Sequence, residues 1–299
     1  MGESLCLVAA ADGRSIGVAQ WGDPRGTPVL SLHGTPGSRL SRPPDEQALR
    51  HAGIHLITYD RPGYGASDRA PGRRVVDCVG DVEAIIEALG IARFAVSGRS
   101  GGGPHALAVA ARLPDRVALA ECVVGAAPFD ASGLDWTAGM DAENVEEFAW
   151  VRQGEQVLHR ELARVAAADL ERMTADPAKV FSDDWQLADA DRQVLARSDV
   201  QRVWVEAMRE AHRPGVWGWV DDDLAFLEPW GFDVNEIRVP VTVRYGRQDV
   251  LVPAAHGAWL ADHVPGADVV VDDQAGHLVG PEVTLARMAV LAAGVGQTE

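Results

Sequence analysis

The feature that most constrains the fold of this sequence is a regular alternation between short apolar runs and helical patterns, which fills both ends of the chain. The apolar runs have the length of buried strands, roughly four to eight residues, and the helical patterns repeat their apolar residues every three or four positions. Parallel strands need a long crossover connection, usually a helix, so this alternation favours a parallel sheet. The sequence therefore predicts an α/β fold with a mostly parallel central sheet flanked by helices.

The alternation stops after Pro128 and resumes a hundred residues later, where a strand pattern returns. The predicted strands are SLCLVAA, SIGVAQWG, PVLSLHG, IHLITYD, RFAVSG, VALAECVVGAAP, VPVTVRYG and ADVVVDD, of which the first two form a hairpin. The interruption shows helical patterns only. We therefore expect a core made of residues 1–128 and 229–299, with residues 129–228 inserted after the sixth strand as a helical cap.

Composition and charge limit the partners of such a protein. The formal net charge is −17 and the isoelectric point is near 4.9, whereas a nucleic-acid-binding surface is basic. No apolar run reaches the length of a membrane span, the first residues lack the cationic segment of a signal peptide, and the three cysteines lack metal-ligand spacing. We expect a cytoplasmic protein that acts on a small molecule, with no nucleic acid, membrane, metal or cofactor partner. The sequence leaves the oligomeric state open.

A nucleophile is predicted at the turn between the fifth strand and the helix that follows it. The stretch GRSGG at 98–102 fits the pattern G-x-S-x-G, in which a sharp strand-to-helix turn lifts one serine above the edge of the sheet. A phosphate-binding loop is the alternative, but the Walker pattern requires a lysine here and the only lysine of the chain is Lys179. Ser97 lacks flanking glycines and is interpreted as a structural hydroxyl. The pattern therefore selects Ser100.

A serine hydroxyl becomes a nucleophile when a histidine takes its proton and a carboxylate orients that histidine. In folds of this type the partners follow in the order Ser, Asp, His, each on a loop after a later strand. Asp249 follows the strand VPVTVRYG and His277 follows the strand ADVVVDD, so both lie at carboxyl ends of strands, where open parallel sheets place their sites. We predict Asp249 and His277 as partners of Ser100, with Asp130, after the sixth strand, as the alternative acid.

The remaining histidines and strand-end acids are interpreted as structural. His105 follows Ser100 too closely along one helix to reach its hydroxyl. Packing or surface positions are expected for His256, His263, Asp272 and Asp273.

The oxyanion that forms during acyl transfer needs at least two hydrogen-bond donors. The backbone N–H of Gly101 is one predicted donor, because it follows the nucleophile at the start of a helix. The backbone N–H of Thr35, in the loop HGTPGSR after the third strand, is the other. His33 begins this loop, and we expect it to brace the loop by hydrogen bonds and not to act as a base.

Five motifs, HGTPGS, DRPGYGASD, SGRSGG, YGRQDVLVP and AGHL, resemble in this order those of the α/β-hydrolase superfamily, in its cap-bearing branch of proline iminopeptidases and esterases. The resemblance implies an α/β-hydrolase fold and acyl transfer to water, in which Ser100 attacks a carbonyl, His277 moves the proton and Asp249 holds the imidazole. A serine nucleophile argues against haloalkane dehalogenases and epoxide hydrolases, which use an aspartate. The motif HGTPG also departs from the HGGPG of proline iminopeptidases.

These observations predict a serine hydrolase that cleaves a carboxylic ester of a small apolar or aromatic substrate. Seven of the nine tryptophans lie between Trp136 and Trp230, where they form either the core of the cap or an aromatic pocket. The acidity of the cap disfavours anionic substrates.

Three alternatives remain on the same scaffold. A proline-type aminopeptidase would bind the N-terminal amine of its substrate through carboxylates such as Glu143, Glu146 or Glu147, although the pattern favours a solvated helix face for these residues. A non-hydrolytic lyase or cyclase would use His277 and Asp249 as a base, and a binding protein would have lost catalysis.

Overall fold

The computed structural model describes residues 5–179 and 185–296. Its centre is one eight-stranded sheet in the order β1-β2-β4-β3-β5-β6-β7-β8. The strands are β1 (Cys6–Ala9), β2 (Ser15–Gly22), β3 (Thr27–Leu32), β4 (Ile54–Tyr59), β5 (Phe94–Arg99), β6 (Val117–Val123), β7 (Val241–Gly246) and β8 (Asp268–Asp272). Strand β2 pairs antiparallel with β1 and β4, and every other neighbouring pair is parallel. This arrangement confirms the predicted hairpin and the mostly parallel sheet.

Helices connect the parallel strands, as the alternation requires. Outside the stretch between β6 and β7 they are α1 (Glu46–His51), α2 (Cys78–Ala88), α3 (Gly102–Arg112), α9 (Ala254–His263) and α10 (Pro281–Val295). The described residues between β6 and β7 contain no strand and form α4 (Ala142–Val151), α5 (Glu155–Ala175), α6 (Asp189–Leu195), α7 (Ser198–Ala211) and α8 (Trp217–Leu227). We call α4–α8 the inserted helices. Over 5–179 and 185–296, no helix combines the length and the apolar character that a membrane span needs.

The sheet is covered on both faces, so its central strands are largely buried. All six residues of β4 are buried. One face packs on α2, α3 and α9 through residues such as Ile85, Leu107 and Leu260. The other face packs on α1 and α10 through Leu49 and Leu291. Because both faces are closed, the loops at the carboxyl edge of the parallel strands are the place where polar chemistry is available.

The inserted helices have an apolar cluster of their own. Trp136, Phe148, Leu162 and Trp219 belong to it, and Tyr64 from the loop after β4 packs into it. The inserted helices are thus joined to the sheet through a loop that lies at its carboxyl edge.

Candidate active site

Ser100 stands at the sharp turn between β5 and α3. Its φ angle is 54°, in the left-handed region that L-residues rarely adopt. The backbone N–H of Ser100 donates to the carbonyl of Val123 at 2.8 Å, and the N–H of Gly103 donates to the carbonyl of Ser100 at 2.8 Å. A methyl group on Gly98 would lie 2.0 Å from the carbonyl oxygen of Gly102, so the turn closes only because this position is a glycine.

Asp249 and His277 meet at the same edge of the sheet. The Nδ1–H of His277 donates to Oδ2 of Asp249 at 2.8 Å. The other oxygen of Asp249 accepts from the backbone N–H groups of Leu251 and Val252, at 2.8 and 2.9 Å. Asp249 is 5% exposed and His277 is 3% exposed, so little water competes for the bond between them. The carboxylate is held on both oxygens and fixes the tautomer that leaves Nε2 of His277 without its proton.

Asp130, the alternative acid, is exposed and does not line the cavity that contains Ser100 and His277. The geometry therefore associates His277 with Asp249 and not with Asp130. Asp272 and Asp273 are exposed strand-end residues, as expected.

The loop after β3 lies against the turn of Ser100. A methyl group on Gly101 would lie 2.3 Å from Oγ1 of Thr35, and one on Gly34 would lie 3.4 Å from Cβ of Ser100. The two residues predicted to donate to an oxyanion, Thr35 and Gly101, are therefore immediate neighbours beside Ser100.

A carboxylate from α8 holds this loop in place. Asp222 accepts from the hydroxyl of Thr35 at 2.6 Å and from the hydroxyl of Tyr64 at 3.0 Å. It also forms ion pairs with Arg61 at 2.5 Å and with Arg73 at 2.7 Å. Both side chains of the Arg61 pair are fully buried. Buried charges need complete pairing of this kind, so the cluster forms only when α8 and the loops after β3 and β4 come together.

Electrostatics keeps Asp222 ionised. Burial on its own raises the pKa of Asp222, but the charges of Arg61 and Arg73 and the hydrogen bond from Arg61 outweigh it and hold the pKa well below its usual value. A charged carboxylate accepts hydrogen bonds more strongly than a neutral one, which favours a fixed position for Thr35.

His33 braces the loop from its other side. Its Nδ1–H donates to the carbonyl of Gly34 at 2.7 Å, and its Nε2 accepts from the backbone N–H of Arg61 at 3.1 Å. Burial and the charge of Arg61 lower the pKa of His33 well below its usual value, so the ring is neutral. The expected structural role of His33 is confirmed.

His105, His256 and His263 also have structural partners. The Nδ1–H of His105 donates to the carbonyl of Gly101 at 2.7 Å, and burial lowers the pKa of His105 to about 3. His256 is buried and bonds two backbone groups through its two ring nitrogens. His263 donates to the carbonyl of Trp259 within its own helix.

Asp191 of α6 fixes the loop that carries His277. Its two carboxylate oxygens accept from the backbone N–H groups of His277 and Leu278, each at 2.9 Å. Asp191 is 1% exposed, and a methyl group on Gly276 would lie 2.2 Å from one of its oxygens. A second carboxylate therefore lies beside the histidine and holds its backbone, whereas Asp249 holds its ring.

Ser100 and His277 line one cavity of about 460 Å³ beneath the inserted helices. Five tryptophans contribute to its wall, namely Trp136, Trp150, Trp185, Trp204 and Trp219. Trp136 and Trp219 are also part of the apolar cluster of the inserted helices. Both interpretations of the tryptophan-rich segment therefore hold, because the core of this segment is also the wall of the cavity. A cavity of this size suits a small molecule.

Carboxylates from α4 and α8 form part of the same wall. Glu143 accepts from the indole N–H of Trp185 at 2.8 Å, and Glu147 accepts from that of Trp219 at 2.9 Å. Burial raises the pKa of Glu147 to about 7, and burial together with the charge of Glu147 raises the pKa of Asp223 well above its usual value. The solvated face expected for these glutamates is wrong for Glu147, because an amphipathic pattern does not reveal that a helix has a cavity on its polar side.

The family model of the alpha/beta hydrolase fold matches residues 27–282. The chain belongs to this family. It is 26% identical over 277 residues to a proline iminopeptidase of Neisseria gonorrhoeae, covering 86% of this chain and 84% of the relative. It is 25% identical over 228 residues to a pimeloyl-[acyl-carrier protein] methyl ester esterase of Nitrosomonas europaea, covering 75% and 78%. Among solved structures, an alpha/beta hydrolase fold protein from Nakamurella multipartita superposes with a TM-score of 0.69 at 25% identity, covering 97% of this chain and 99% of that one.

The sequence did not single out Asp191, Asp222 or Asp223 as functional. The only signal was the acidic run at 221–223, which suggests a solvated surface, whereas all three of its side chains are buried. Such a run is common on solvated surfaces, and only the apolar residues around it on the same helix point to burial.

Proposed function

We propose that this hydrolase cleaves a carboxylic ester of a small apolar or aromatic substrate through an acyl-enzyme on Ser100. The observation that carries the proposal is the position of the Ser100 turn at the floor of an aromatic cavity that it shares with the His277–Asp249 pair. A serine with a strained backbone, a histidine whose ring is held by a hydrogen bond and a buried carboxylate are the parts that acyl transfer needs.

The reaction begins when Nε2 of His277 takes the proton of Ser100 and Oγ attacks the ester carbonyl. The negative oxygen is stabilised by the backbone N–H groups of Thr35 and Gly101, which are fixed before the substrate arrives and therefore cost no reorganisation. His277 then gives its proton to the leaving alcohol as the acyl-enzyme forms. Water activated by His277 releases the acid and regenerates Ser100. The charge of Asp249 stabilises the imidazolium in both halves of the reaction.

The test is labelling by a fluorophosphonate together with hydrolysis of short p-nitrophenyl esters. Wild type should be labelled once, at Ser100, and Ser100→Ala should be neither labelled nor active. Ser97→Ala is the matched control, because this hydroxyl lies on β5, three residues before Ser100, and donates to Glu121 at 3.3 Å. An unlabelled wild type with no esterase activity would refute the proposal.

A proline-type aminopeptidase is the second candidate, and the acidic wall of the cavity favours it. Glu147 and Asp223 are hydrogen-bonded to each other inside the cavity, and burial raises the pKa of each, so a cation beside the pair would stabilise its charged form. A substrate ammonium group would supply that cation. The relative from Neisseria gonorrhoeae, which matches 86% of this chain, is named a proline iminopeptidase.

The two candidates separate on a pair of substrates. An aminopeptidase should cleave proline p-nitroanilide and reject the N-acetylated compound, and Glu147→Gln should reduce cleavage of the former. An ester hydrolase should cleave neutral esters, and Glu147→Gln should affect it little. If Glu147→Gln cleaved the anilide at the rate of wild type, Glu147 would not be the group that recognises the amine.

A further inference from the structure

Arg99, the residue before the nucleophile, carries a charge that the described chain does not pair. Within residues 5–179 and 185–296 its guanidinium has no carboxylate within 4.0 Å and its side chain makes no hydrogen bond; its contact is with the ring of Trp204, 5.5 Å from Cζ to the centroid. Other arginines around the cavities are paired: Arg42 with Glu206 at 3.2 Å, Arg172 with Asp169 at 2.6 Å and Arg287 with Glu121 at 2.6 Å. Arg99 is half-buried, and a partly buried cation without an ionic partner favours the binding of an anion that arrives from outside.

Arg99 lies where two cavities meet. It lines the cavity of Ser100 and also a second cavity of about 170 Å³ on the α10 side of the sheet. The two cavities share Gly34, Pro36, Trp204 and Met208 in addition to Arg99. Strand alternation explains this position, because Arg99 projects from the same face of β5 as Ser97, which accepts from Arg287 of α10 at 3.3 Å.

The distance from Arg99 to the nucleophile suits a short substrate arm. A methyl group on Gly34 would lie 3.4 Å from Cβ of Ser100 and 3.9 Å from Nη2 of Arg99, so one small group would touch both residues. The cavity carboxylates Glu143, Glu147 and Asp223 do not line the second cavity, which is mainly apolar apart from its arginines and hydroxyls. A substrate carboxylate directed towards α10 would therefore lie away from these three acidic side chains.

We propose that Arg99 binds a carboxylate carried by the substrate a few bonds from the scissile ester, with the arm directed into the second cavity. The substrate class is the half-ester of a short dicarboxylic acid. This inference rests on the proposed ester hydrolysis and narrows the substrate to an ester with a short apolar chain that ends in a carboxylate. The planar guanidinium presents two parallel donors that match a carboxylate, which a lysine at this position could not do. Burial lowers the pKa of Arg99, and the charges of Asp191 and Asp249 oppose this shift, so the side chain stays cationic at neutral pH. The aspartates of the inserted segment are engaged by other groups: Asp221 and Asp222 pair with arginines, and Asp191 accepts from two backbone N–H groups.

The first experiment compares hydrolysis of monomethyl glutarate with that of dimethyl glutarate. Wild type should prefer the half-ester, and in Arg99→Gln the ratio of the two kcat/KM values should fall roughly 10- to 100-fold, the range expected for a hydrogen-bonded charge pair. Arg99→Lys should restore part of the preference. Arg42→Gln serves as the comparison, because Arg42 lines the second cavity but not the cavity of Ser100. If Arg42→Gln lowered the preference for the half-ester as much as Arg99→Gln, the anion would bind at Arg42 and the assignment would be overturned.

The second experiment measures binding and does not depend on turnover. Monomethyl glutarate should bind Ser100→Ala, as followed by calorimetry, and adding Arg99→Gln should weaken this binding roughly 10-fold or more. Two results would overturn the role of Arg99 without affecting the proposed hydrolysis. One is esterase activity on neutral esters with no preference for the half-ester, and the other is equal binding of monomethyl glutarate by the two variants. Failure of fluorophosphonate labelling with intact binding overturns the proposed hydrolysis and leaves the anion site standing.

Stability distinguishes a binding arginine from a structural one. Because Arg99 has no ionic partner to lose within the described residues, Arg99→Gln should keep or raise the melting temperature. A clear fall in melting temperature with no change in the preference for the half-ester would show that Arg99 supports the fold instead.

Discussion

Replacing Asp222 by asparagine removes the charge on which two buried arginines depend. The variant keeps the size of the side chain and one carbonyl oxygen, so the perturbation is the lost charge and one lost acceptor. Asp222 and Arg61 are fully buried, and Arg73 is 8% exposed, so water cannot replace the missing partner. The hydrogen bond from Thr35 and the ion pairs with both arginines change together.

The expected loss of unfolding free energy follows from this burial. Removing one partner of a buried ion pair costs about 3–5 kcal/mol. For a domain of this size each kcal/mol corresponds to a shift of about 2–4 °C, so the melting temperature should fall by roughly 6–20 °C. The pKa of Asp222 is held well below its usual value, so its stabilising contribution is present above pH 3.8 and is lost only as pH falls through that depressed value. The difference between wild type and variant should therefore be constant from pH 6 to pH 8.

The effect on catalysis should be separate from the effect on stability. Without a charged acceptor for its hydroxyl, Thr35 is no longer fixed beside Gly101, and one proposed oxyanion donor is misplaced. Loss of such a donor lowers kcat by roughly 10²- to 10³-fold. Because the substrate in its ground state does not use this donor fully, KM should change much less.

The assay is urea unfolding together with ester kinetics at 25 °C, well below the lowered melting temperature. Asp221→Asn is the matched control, one residue away on α8. Its partner Arg69 is 26% exposed, so water can solvate the arginine that is left behind and the cost should be smaller. An Asp222→Asn protein with the stability and kcat of wild type would refute the reasoning, as would an equal loss of kcat in Asp221→Asn.

Three further predictions concern the same region. Asp191→Asn leaves one of two buried backbone N–H groups in the His277 loop without its acceptor; we expect a loss of about 1–3 kcal/mol in unfolding free energy and a kcat at least tenfold lower, measured by urea unfolding and ester kinetics. Glu147→Gln should remove a pH dependence of stability, because the pKa of Glu147 is raised to about 7 and its stabilising contribution is complete below pH 4.5 and lost as pH rises through about 7. Between pH 5 and pH 8 the melting temperature of wild type should therefore fall relative to that of the variant. Melting temperatures that change with pH in the same way in both proteins would contradict this. Gly98→Ala should abolish fluorophosphonate labelling, because the new methyl group would lie 2.0 Å from the carbonyl oxygen of Gly102; a labelled variant would show that the turn tolerates a side chain.

The sequence was most informative where neighbouring residues decide the structure. The strands and the turn at Ser100 are local features, set by apolar runs and by glycines within a few positions, and the loops of Asp249 and His277 follow from the ends of strands. Asp222 and Asp191 were not predictable in this way, because their partners lie far along the chain: 187 residues separate Asp222 from Thr35, and 86 separate Asp191 from His277. Their roles depend on how the inserted helices pack, and no local pattern records that packing. For the same reason the pattern G-x-S-x-G does not single out Arg99, which occupies a variable position of the motif, although its surroundings in three dimensions set it apart.

Two aspartates of the inserted helices, Asp222 on α8 and Asp191 on α6, support the two loops that carry Thr35 and His277. If this segment were exchanged for that of another hydrolase to change the substrate, the protein would lose the hydrogen bonds that hold these two loops as well as the walls of the cavity. A chimera would need both carboxylates at matching places before its new lining could be assessed. During divergence, these two aspartates should change only together with the loops they hold. The tryptophans that line the cavity have no such constraint, so substitutions there can change the substrate.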